Sequence, residues 1–507
     1  MLSGNAILDA IQAHARRQPD RLALFGRAHA LSYAELAHAI RQTGEYLRVS
    51  NARTVALALD NSPAWAILDL AALYAVKPAV PLPFFFSAEQ VVHALHDAGA
   101  DCIFTDQPEH YESILSAAGI TIRARHTVDI HGQKLTEFCL SHIPERQLPP
   151  GTIKITYTSG TTGQPKGVCL GADALHRVSA SLLAASGAQA TDRHLSVLPL
   201  STLLENIGGI YVPLLAGASS TLLPLAEVGL SGATGLDVFR MLAVLSECKA
   251  TTTILTPELL HGLVAAIEAG CPVPAQLRFV AVGGASVAVR LLHRAQILGL
   301  PVFEGYGLSE CASVVALNTA DAKRTGSVGK PLPHVNLGFA ADGEILVDGA
   351  TLLGYTGDDS ACGLAGYWPT GDIGRLDAQG FLHITGRKKN IFITSFGRNV
   401  SPEWVERELT LHPAIAQAAV FGEARPWNVA VIVARGGSLE AVEQAIAEAN
   451  CLLPDYAQVR QWIPAQAPFA PHNGQLTPNG RLRRDAILKI HRTMIEPLYE
   501  ESIDAVL

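Results

Sequence analysis

The sequence has 507 residues, of which 49% are hydrophobic and 17% are charged, a composition that excludes intrinsic disorder. This length exceeds one ordinary hydrophobic core, so two or more structural units are expected. The formal net charge of −8, from 38 basic and 46 acidic residues, argues against a nucleic-acid-binding surface and favours an enzyme whose anionic ligand is held by local groups.

The cysteines and the apolar segments bear on the cellular compartment. Eight cysteines show neither C-x-x-C pairs nor metal-like spacing, which predicts reduced thiols in a cytoplasmic protein. The N-terminus has no basic start followed by an apolar run, so no signal peptide is expected. The most apolar window, Ala64 to Phe86, contains Asp69, Lys77 and three prolines. No transmembrane segment is therefore predicted, although contact with a membrane through an exposed apolar patch stays open.

The first elements alternate between helix and strand. Apolar residues recur at helical spacing from Ala6 to Ala15, and Ser32 with Glu35 forms a capping-box pattern that opens a second helix. A buried strand at Val55 to Leu59 and a helix near Pro63 to Tyr74 follow. This alternation predicts a mainly parallel, layered α/β body.

Three consecutive phenylalanines, Phe84 to Phe86, stand out in a chain that is only 6% aromatic. Core packing at a strand end is the favoured interpretation of this run. A lipid-facing or acyl-lining role is the alternative.

A loop rich in glycine and hydroxyl residues, Thr158 to Gly167, lies between two strand-like segments, 153–157 and 168–170. Its small residues allow backbone and hydroxyl donors to approach an anion, and Lys166 adds a positive charge. A Walker A loop would have Gly before this lysine and Ser or Thr after it, where Pro165 and Gly167 stand. We therefore expect a phosphate-binding loop between two strands, with an ordinary surface turn as the alternative.

A second, smaller unit is expected to begin near Gly386, which divides the chain into residues 1–385 and 386–507. The run from Gly386 to Asn390 is charged and reads as an exposed connector. Beyond it, Ser401, Pro402 and Glu403 are typical of an N-cap, a first helical residue and an acidic first turn.

The string TYTSGTTGQPKGV at 156–168 resembles the signature loop of the adenylate-forming enzymes, which include acyl-CoA synthetases, luciferases and the adenylation domains of peptide synthetases. Further similarities follow in chain order over most of the sequence, with LSYAEL before the loop and GGA, YGLSE, GEILVDG, TGD, GRKK and NGRLRR after it. The resemblance implies a large layered α/β N-terminal domain and a small mobile α+β C-terminal domain. It also implies ATP and Mg²⁺ as cofactors, and CoA as co-substrate.

The resemblance assigns the phosphates of ATP to the loop. They would be held by Thr158, Ser159, Gly160, Thr161, Thr162, Gly163 and Lys166. The turn that passes under the adenine and beside the acyl pocket would be formed by Gly283, Gly284 and Ala285. We expect small residues there because a flat ring or an acyl chain must approach the backbone closely.

The remaining motifs imply roles around the nucleotide. Tyr306, followed by Gly307, would lie against the adenine, Ser309 would bind the α-phosphate, and Glu310 would hold Mg²⁺. Asp372 would accept hydrogen bonds from the ribose hydroxyls, and Arg387 would reach the ribose or a phosphate from the other side. Lys389 falls at the hinge position of the family, the pivot of the small domain.

Two positions depart from the family pattern. Arg481 takes the place of the catalytic lysine that neutralises the transition state of adenylation. Arginine is a wide planar fork and lysine a compact point charge, so this replacement is not conservative. Thr202 stands where the family has the histidine that gates the carboxylate, which puts that gating role in doubt.

The segment GRNVSPE at 397–403 resembles long-chain acyl-CoA synthetases. The expected reaction therefore converts a medium- or long-chain fatty acid to acyl-CoA and releases AMP and pyrophosphate. Transfer to an acyl carrier protein or to an amine is the alternative for the second step. A protein that binds nucleotide or acyl-AMP but is impaired in adenylation is the other alternative, because of Arg481.

Overall fold

A computed structural model describes residues 5–158, 165–231, 235–357, 366–436, 438–477 and 480–500. Within these ranges the α-helices are Ala6–Arg17, Tyr33–Val49, Pro63–Ala75, Ala88–Ala98, Pro108–Ala117, Ala172–Ala185, Leu203–Glu205, Val212–Ala216, Val238–Glu247, Pro257–Glu268, Val289–Ile297, Pro402–Thr410, Leu439–Asn450, Arg484–Ile495 and Pro497–Glu500. A π-helix spans Asn206–Tyr211. Short 3₁₀ helices span Leu225–Val228, Ser309–Cys311 and Asp455–Ala457.

Two large sheets form the N-terminal part. The first has the described strand order Lys330–Pro331, Ala316–Leu317, Val302–Tyr306, Phe279–Val282, Thr252–Leu255, Arg193–Leu195, Ser219–Thr221, Leu22–Phe25 and Ala30–Ser32. The second has the described order Gly354–Tyr355, Lys166–Gly171, Thr152–Thr158, Ala79–Pro81, Val55–Ala58, Cys102–Thr105, Gln133–Leu140 and Ile122–Ile130. Both sheets are parallel at their centres and antiparallel at their edges. The expected parallel, layered α/β body is confirmed.

Smaller sheets follow in the chain. A four-stranded sheet comprises Val335–Phe339, Glu344–Gly349, Trp368–Leu376 and Leu382–Arg387. A three-stranded sheet comprises Ile415–Phe421, Asn428–Ala434 and Val459–Pro464. Two-stranded ribbons join Leu230–Ser231 to Gly235–Leu236 and Phe392–Ile393 to Asn399–Val400. The large α/β part and the small α+β part thus match the expected fold class.

Local sequence signals explain several helix ends. The capping box of Ser32 and Glu35 forms as predicted, with the Ser32 amide donating to the Glu35 carboxylate at 2.7 Å. The helix Pro63–Ala75 buries almost every side chain, because it packs within the largest described core.

Among the described residues, every helix is too short or too polar to span a lipid bilayer.

Two apolar cores lie on the two faces of the three-stranded sheet, and all of their buried residues are at or after Phe392. The buried members of the other described cores lie at or before Leu382. The strand Leu382–Arg387 runs through the expected boundary and still belongs to the four-stranded sheet. A boundary near Gly386 therefore stays a prediction, to which the separation of the cores lends support.

Candidate active site

A cleft of about 2350 Å³ lies between the N-terminal part and the small C-terminal part. It gathers residues that are far apart in the sequence. Of the predicted site residues that the structure describes, the cleft is lined by Thr158, Lys166, Gly283, Gly284, Ala285, Tyr306, Gly307, Ser309, Glu310, Asp372, Arg387, Lys389 and Arg481. The predicted loop residues Ser159, Gly160, Thr161, Thr162 and Gly163 lie outside the described residues.

The two strands predicted to flank the phosphate-binding loop are present, and the structure pairs them as antiparallel neighbours. Thr158 and Lys166 lie opposite each other at the ends of these strands. The backbone carbonyl of Pro165, just after the undescribed residues, lies 2.9 Å from a ring nitrogen of His93. A Cβ at Gly167 would lie 2.6 Å from the Thr356 hydroxyl, so this position requires glycine. Lys166 thus enters the cleft from a fixed strand end.

A carboxylate, a phenol and a guanidinium meet on one wall of the cleft. The Tyr306 hydroxyl donates to one Asp372 oxygen at 2.6 Å, and Arg387 Nε lies 2.7 Å from the other. Burial raises the pKa of Asp372, while Arg387 and the Tyr306 hydrogen bond oppose the rise. Burial raises the pKa of Tyr306 well above its ordinary value, and Asp372 adds to this. Tyr306 therefore remains a neutral hydrogen-bond donor at physiological pH.

Glu310 lies in the 3₁₀ turn Ser309–Cys311, immediately after the strand that carries Tyr306. The Tyr355 hydroxyl donates to Glu310 Oε1 at 3.0 Å, and the same tyrosine ring lies 5.3 Å from Lys166 Nζ. Tyr355 belongs to the strand Gly354–Tyr355, which pairs with the Lys166–Gly171 strand. Sequence reasoning missed Tyr355, because its role depends on this long-range pairing and no local motif marks it.

Arg481 reaches the cleft from a tight turn of the small C-terminal part. The Thr477 amide donates to the Arg481 carbonyl at 2.7 Å, and the Arg481 amide donates to the Thr477 hydroxyl at 3.0 Å. Desolvation in the cleft lowers the pKa of Arg481, and the positive charge of Arg387 lowers it further. The carboxylates of Asp372 and Glu310 oppose this change. The side chain nevertheless keeps access to solvent. A permanently charged guanidinium therefore faces the space between the two acids.

The predicted hinge residue Lys389 lies between two anchored neighbours. Lys388 Nζ lies 2.6 Å from an oxygen of Asp342 and 2.8 Å from one of Glu344, both in the N-terminal part. The Asn390 side chain donates to Glu403 on the helix Pro402–Thr410. Desolvation lowers the pKa of Lys389, with Arg387 and Arg481 adding to the effect.

A second contact joins the two parts across the cleft. Arg407 of the helix Pro402–Thr410 donates to the Ser286 hydroxyl, beside the glycine turn at Gly283 and Gly284. Burial raises the pKa of Glu304, which precedes Tyr306 by two residues, to about 7, and Arg407 counteracts this rise. The Arg407–Ser286 hydrogen bond thus joins the small part to the N-terminal part in addition to the chain connection.

An apolar part of the cleft lies beside the glycine turn, where the Gly283 amide donates to the Leu255 carbonyl at 3.3 Å. A Cβ at Gly283 would lie 3.5 Å from the Gly305 carbonyl oxygen, an ordinary van der Waals contact. Residues from the first sheet and the π-helix region form its walls, namely Gly208, Val212, Ile254, Phe279 and Ala281. Thr202, the departure from the family pattern, also lines the cleft.

The expectation that Phe84 to Phe86 pack in the core is wrong for part of this run. Phe84 is 40% exposed, and both Phe84 and Phe85 line the cleft. Phe86 packs edge to face against Tyr157, with ring centroids 6.5 Å apart. The strand before them, Ala79–Pro81, ends at the cleft and projects the aromatic run into it, which the local apolar pattern did not reveal.

The chain matches the family model "AMP-binding enzyme" over residues 11–354 and "AMP-binding enzyme C-terminal domain" over residues 389–503. It is 28% identical to the long-chain-fatty-acid–CoA ligase FadD15 of Mycobacterium bovis, over 86% of each chain. It is 29% identical to the 2-succinylbenzoate–CoA ligase of Bacillus velezensis, over 81% of this chain and 84% of the relative. The o-succinylbenzoate CoA synthetase structure from Bacillus subtilis with its acyl-adenylate superimposes with a TM-score of 0.74 at 23% identity, covering 94% and 97% of the two chains.

Proposed function

This chain belongs to the AMP-binding enzyme family and is an AMP-forming acid–CoA ligase, and we propose that the acid it activates is a medium- or long-chain fatty acid. The observation that carries the substrate class is the set of apolar residues that line the cleft beside Gly283. An acyl chain gains free energy from leaving water in such a space. The similarity to FadD15 across most of both chains adds support.

In the first step, a carboxylate oxygen of the acid attacks the α-phosphorus of ATP and forms a new P–O bond. The bond to the β-phosphate bridging oxygen breaks, and pyrophosphate leaves with that electron pair. Lys166 and Arg481 would offset the charge that develops on the phosphoryl oxygens, and Ser309 would donate a hydrogen bond to them. Because these groups come from both parts of the molecule, the domain arrangement of this structure suits the first step.

The nucleotide would be oriented by groups already held in place. Asp372 would accept hydrogen bonds from the ribose hydroxyls, and Tyr306 would lie against the adenine. Glu310 would hold Mg²⁺, which requires an anionic oxygen ligand. The Tyr355 hydroxyl donates one hydrogen bond to Glu310 Oε1, and the carboxylate keeps further lone pairs for the cation. Mg²⁺, when bound, would neutralise charge on the phosphates.

In the second step, the sulfur of CoA attacks the carbonyl carbon of the acyl-adenylate. The C–O bond to AMP breaks, the thiol proton is lost to solvent or base, and the thioester remains. The anchored hinge at Lys389 would permit the small domain to rotate between the steps, and we propose residues 386–507 as that domain. An acyl carrier protein or an amine is the alternative acceptor.

The alternative of a binding protein impaired in adenylation rests on Arg481. The placement of this guanidinium close to Asp372 and Glu310 supports an active ligase instead, because its charge reaches the space that the phosphates would occupy. Persistent ATP binding without pyrophosphate release for any acid would favour the binding protein.

The test is pyrophosphate release from MgATP with acids of graded chain length and with aryl acids such as 2-succinylbenzoate, each with and without CoA. We expect a maximum at one medium or long chain length and faster turnover with CoA. Glu310→Gln should abolish most of the release, and the exposed Glu112→Gln serves as the matched control. A maximum for an aryl acid would reject the fatty-acid proposal and leave the ligase class intact.

A further inference from the structure

A cluster of soft and hard donor side chains lies at the far edge of the second sheet, away from the residues that line the cleft. Strands Ile122–Ile130 and Gln133–Leu140 form a hairpin there, and the strand Cys102–Thr105 pairs with the second of them. In these registers His126 lies opposite Glu137, and Cys102 lies opposite Cys139. Opposite residues and residues two apart share a face, so these four side chains lie on the same face of the sheet.

The side chains converge on a small volume. One donor atom from each of His126, Glu137 and Cys139 lies within 4.8 Å of the other two. The Tyr46 hydroxyl donates to Glu137 Oε2, and the Cys102 thiol donates to Glu137 Oε1 at 3.3 Å. Tyr46 and Cys102 therefore hold the Glu137 carboxylate in place, as hydrogen-bond partners commonly do for metal ligands. Each carboxylate oxygen still has a lone pair that could bind a cation.

Burial changes across the cluster from the interior to solvent. Glu137 is 2% exposed, Cys139 is half-buried and His126 is exposed. Among the described residues, the Glu137 carboxylate accepts hydrogen bonds from the neutral Tyr46 hydroxyl and Cys102 thiol and forms no ion pair with a lysine or arginine. The exposed Arg123 reaches the Cys139 thiol and would turn toward solvent if a cation took its place. A cation could enter from the His126 side.

We propose that His126, Glu137 and Cys139 form a Zn²⁺ site. Imidazole nitrogen, thiolate sulfur and carboxylate oxygen are the three ligand types that Zn²⁺ prefers, whereas Mg²⁺ and Ca²⁺ avoid sulfur. Ligand distances of about 2.0–2.3 Å in a tetrahedral site require only a modest contraction of the cluster. Water on the exposed side would complete the coordination, while the Cys102 thiol keeps its hydrogen bond to Glu137.

Such a site would hold the edge hairpin of the sheet together. It joins one strand of the hairpin through His126 to the other through Glu137 and Cys139, and it stabilises the folded state because the unfolded chain lacks the assembled ligands. This cluster could not be predicted from the sequence, because the spacing of the three residues resembles no metal motif and only the strand register brings them together.

The test uses the full-length protein, freed of metal by a chelator and then incubated with Zn²⁺ and desalted. We expect one equivalent of retained Zn²⁺ and a rise of several degrees in the melting temperature. His126→Gln and Cys139→Ser should each lose both effects, and the matched controls His472→Gln and Cys451→Ser, at exposed positions elsewhere, should retain them. Pyrophosphate release should be unchanged in all four variants at a temperature where they are folded.

Replacement of Zn²⁺ by Co²⁺ tests the ligands without relying on a variant. A thiolate-to-cobalt charge-transfer band should appear in the wild type and disappear in Cys139→Ser. Absence of this band from the wild type, or equal Zn²⁺ retention in Cys139→Ser, would overturn the proposal. Loss of two titratable thiols with no retained metal would also overturn it and would indicate a Cys102–Cys139 disulfide.

Discussion

Two clusters of charged and hydroxyl side chains, one inside the N-terminal part and one at the cleft, differ in whether they are closed. In the first, Lys154 Nζ lies 2.6 Å from an Asp69 oxygen and 2.8 Å from the Tyr211 hydroxyl, and it also donates to Asn206. Tyr211 and Asn206 in turn donate to the other Asp69 oxygen. Lys154 and Asp69 are 1% and 0% exposed, so solvent and ligands cannot reach them.

The second cluster, around Asp372, uses similar groups but faces the cleft. Tyr306 and Arg387 bind the Asp372 carboxylate, and Arg481 approaches from the other part of the molecule. Arg387 is partly exposed, and the lone pairs of the carboxylate are not all used. A closed network of this kind serves stability, whereas a cluster that is open to a cavity can exchange its partners for a ligand.

Lys154→Met should disrupt the closed cluster, and of the substitutions considered it should lower the free energy of unfolding most. It removes the cation and leaves Asp69 buried with hydrogen bonds alone, which costs ~3–5 kcal/mol in the free energy of unfolding. Urea unfolding measures this loss, with the exposed Lys489→Met as control. A loss below ~1 kcal/mol would show that the network adds little to stability.

Glu304→Gln should change how stability depends on pH. The pKa of about 7 lies above the ordinary 4.5, so the folded state binds more protons and the free energy of unfolding falls as pH rises between these values. The substitution should flatten this dependence, in which the free energy of unfolding falls by about 3 kcal/mol over the window. Unfolding measured from pH 4.5 to pH 8 provides the check, and an unchanged slope would contradict the assignment to Glu304.

The same residue couples pH to the domain contact. Ionised Glu304 attracts Arg407, so raising the pH through about 7 should favour the domain arrangement of this structure. Limited proteolysis near the hinge at Lys389 would report this change as greater protection at high pH.

Asp372→Asn should test whether the open cluster serves ligand binding. The amide keeps the shape but loses the charge, so we expect the KM for ATP to rise by about tenfold to a hundredfold, near 2 kcal/mol. The free energy of unfolding should change much less than in Lys154→Met, because the site is open to solvent. Asp173→Asn, at an exposed position, is the control; an unaltered KM would remove the ribose role from Asp372.

Arg481→Lys should have the smallest effect. It restores the usual residue of the family, and we expect pyrophosphate release to be preserved or to rise by up to about tenfold, near 1.4 kcal/mol. Arg481→Ala should lower the rate, which separates the need for a cation from the need for its shape. Complete loss of activity in the lysine variant would show that a planar guanidinium is required.

The sequence predicted the local parts of this molecule better than its long-range contacts. The capping box at Ser32 and the strands around the phosphate loop follow from short patterns, and the structure confirms both. The motif residues from Tyr306 to Arg481 converge on one cleft, although their individual roles stay predictions. Tyr355 and the Lys154 network were missed, because strand pairing and tertiary packing bring these groups together and local periodicity contains neither.

The pairing of Gly354–Tyr355 with Lys166–Gly171 links Glu310, Tyr355 and Lys166 within one hydrogen-bonded frame. The apolar walls of the proposed acyl cavity come instead from the first sheet and from residues in and after the π-helix Asn206–Tyr211. Substitutions in the cavity walls can therefore change the shape of the cavity without altering the contacts among Glu310, Tyr355 and Lys166. Directed evolution toward a new acid should begin at Gly208, Val212 and Ile254, and leave the frame residues untouched.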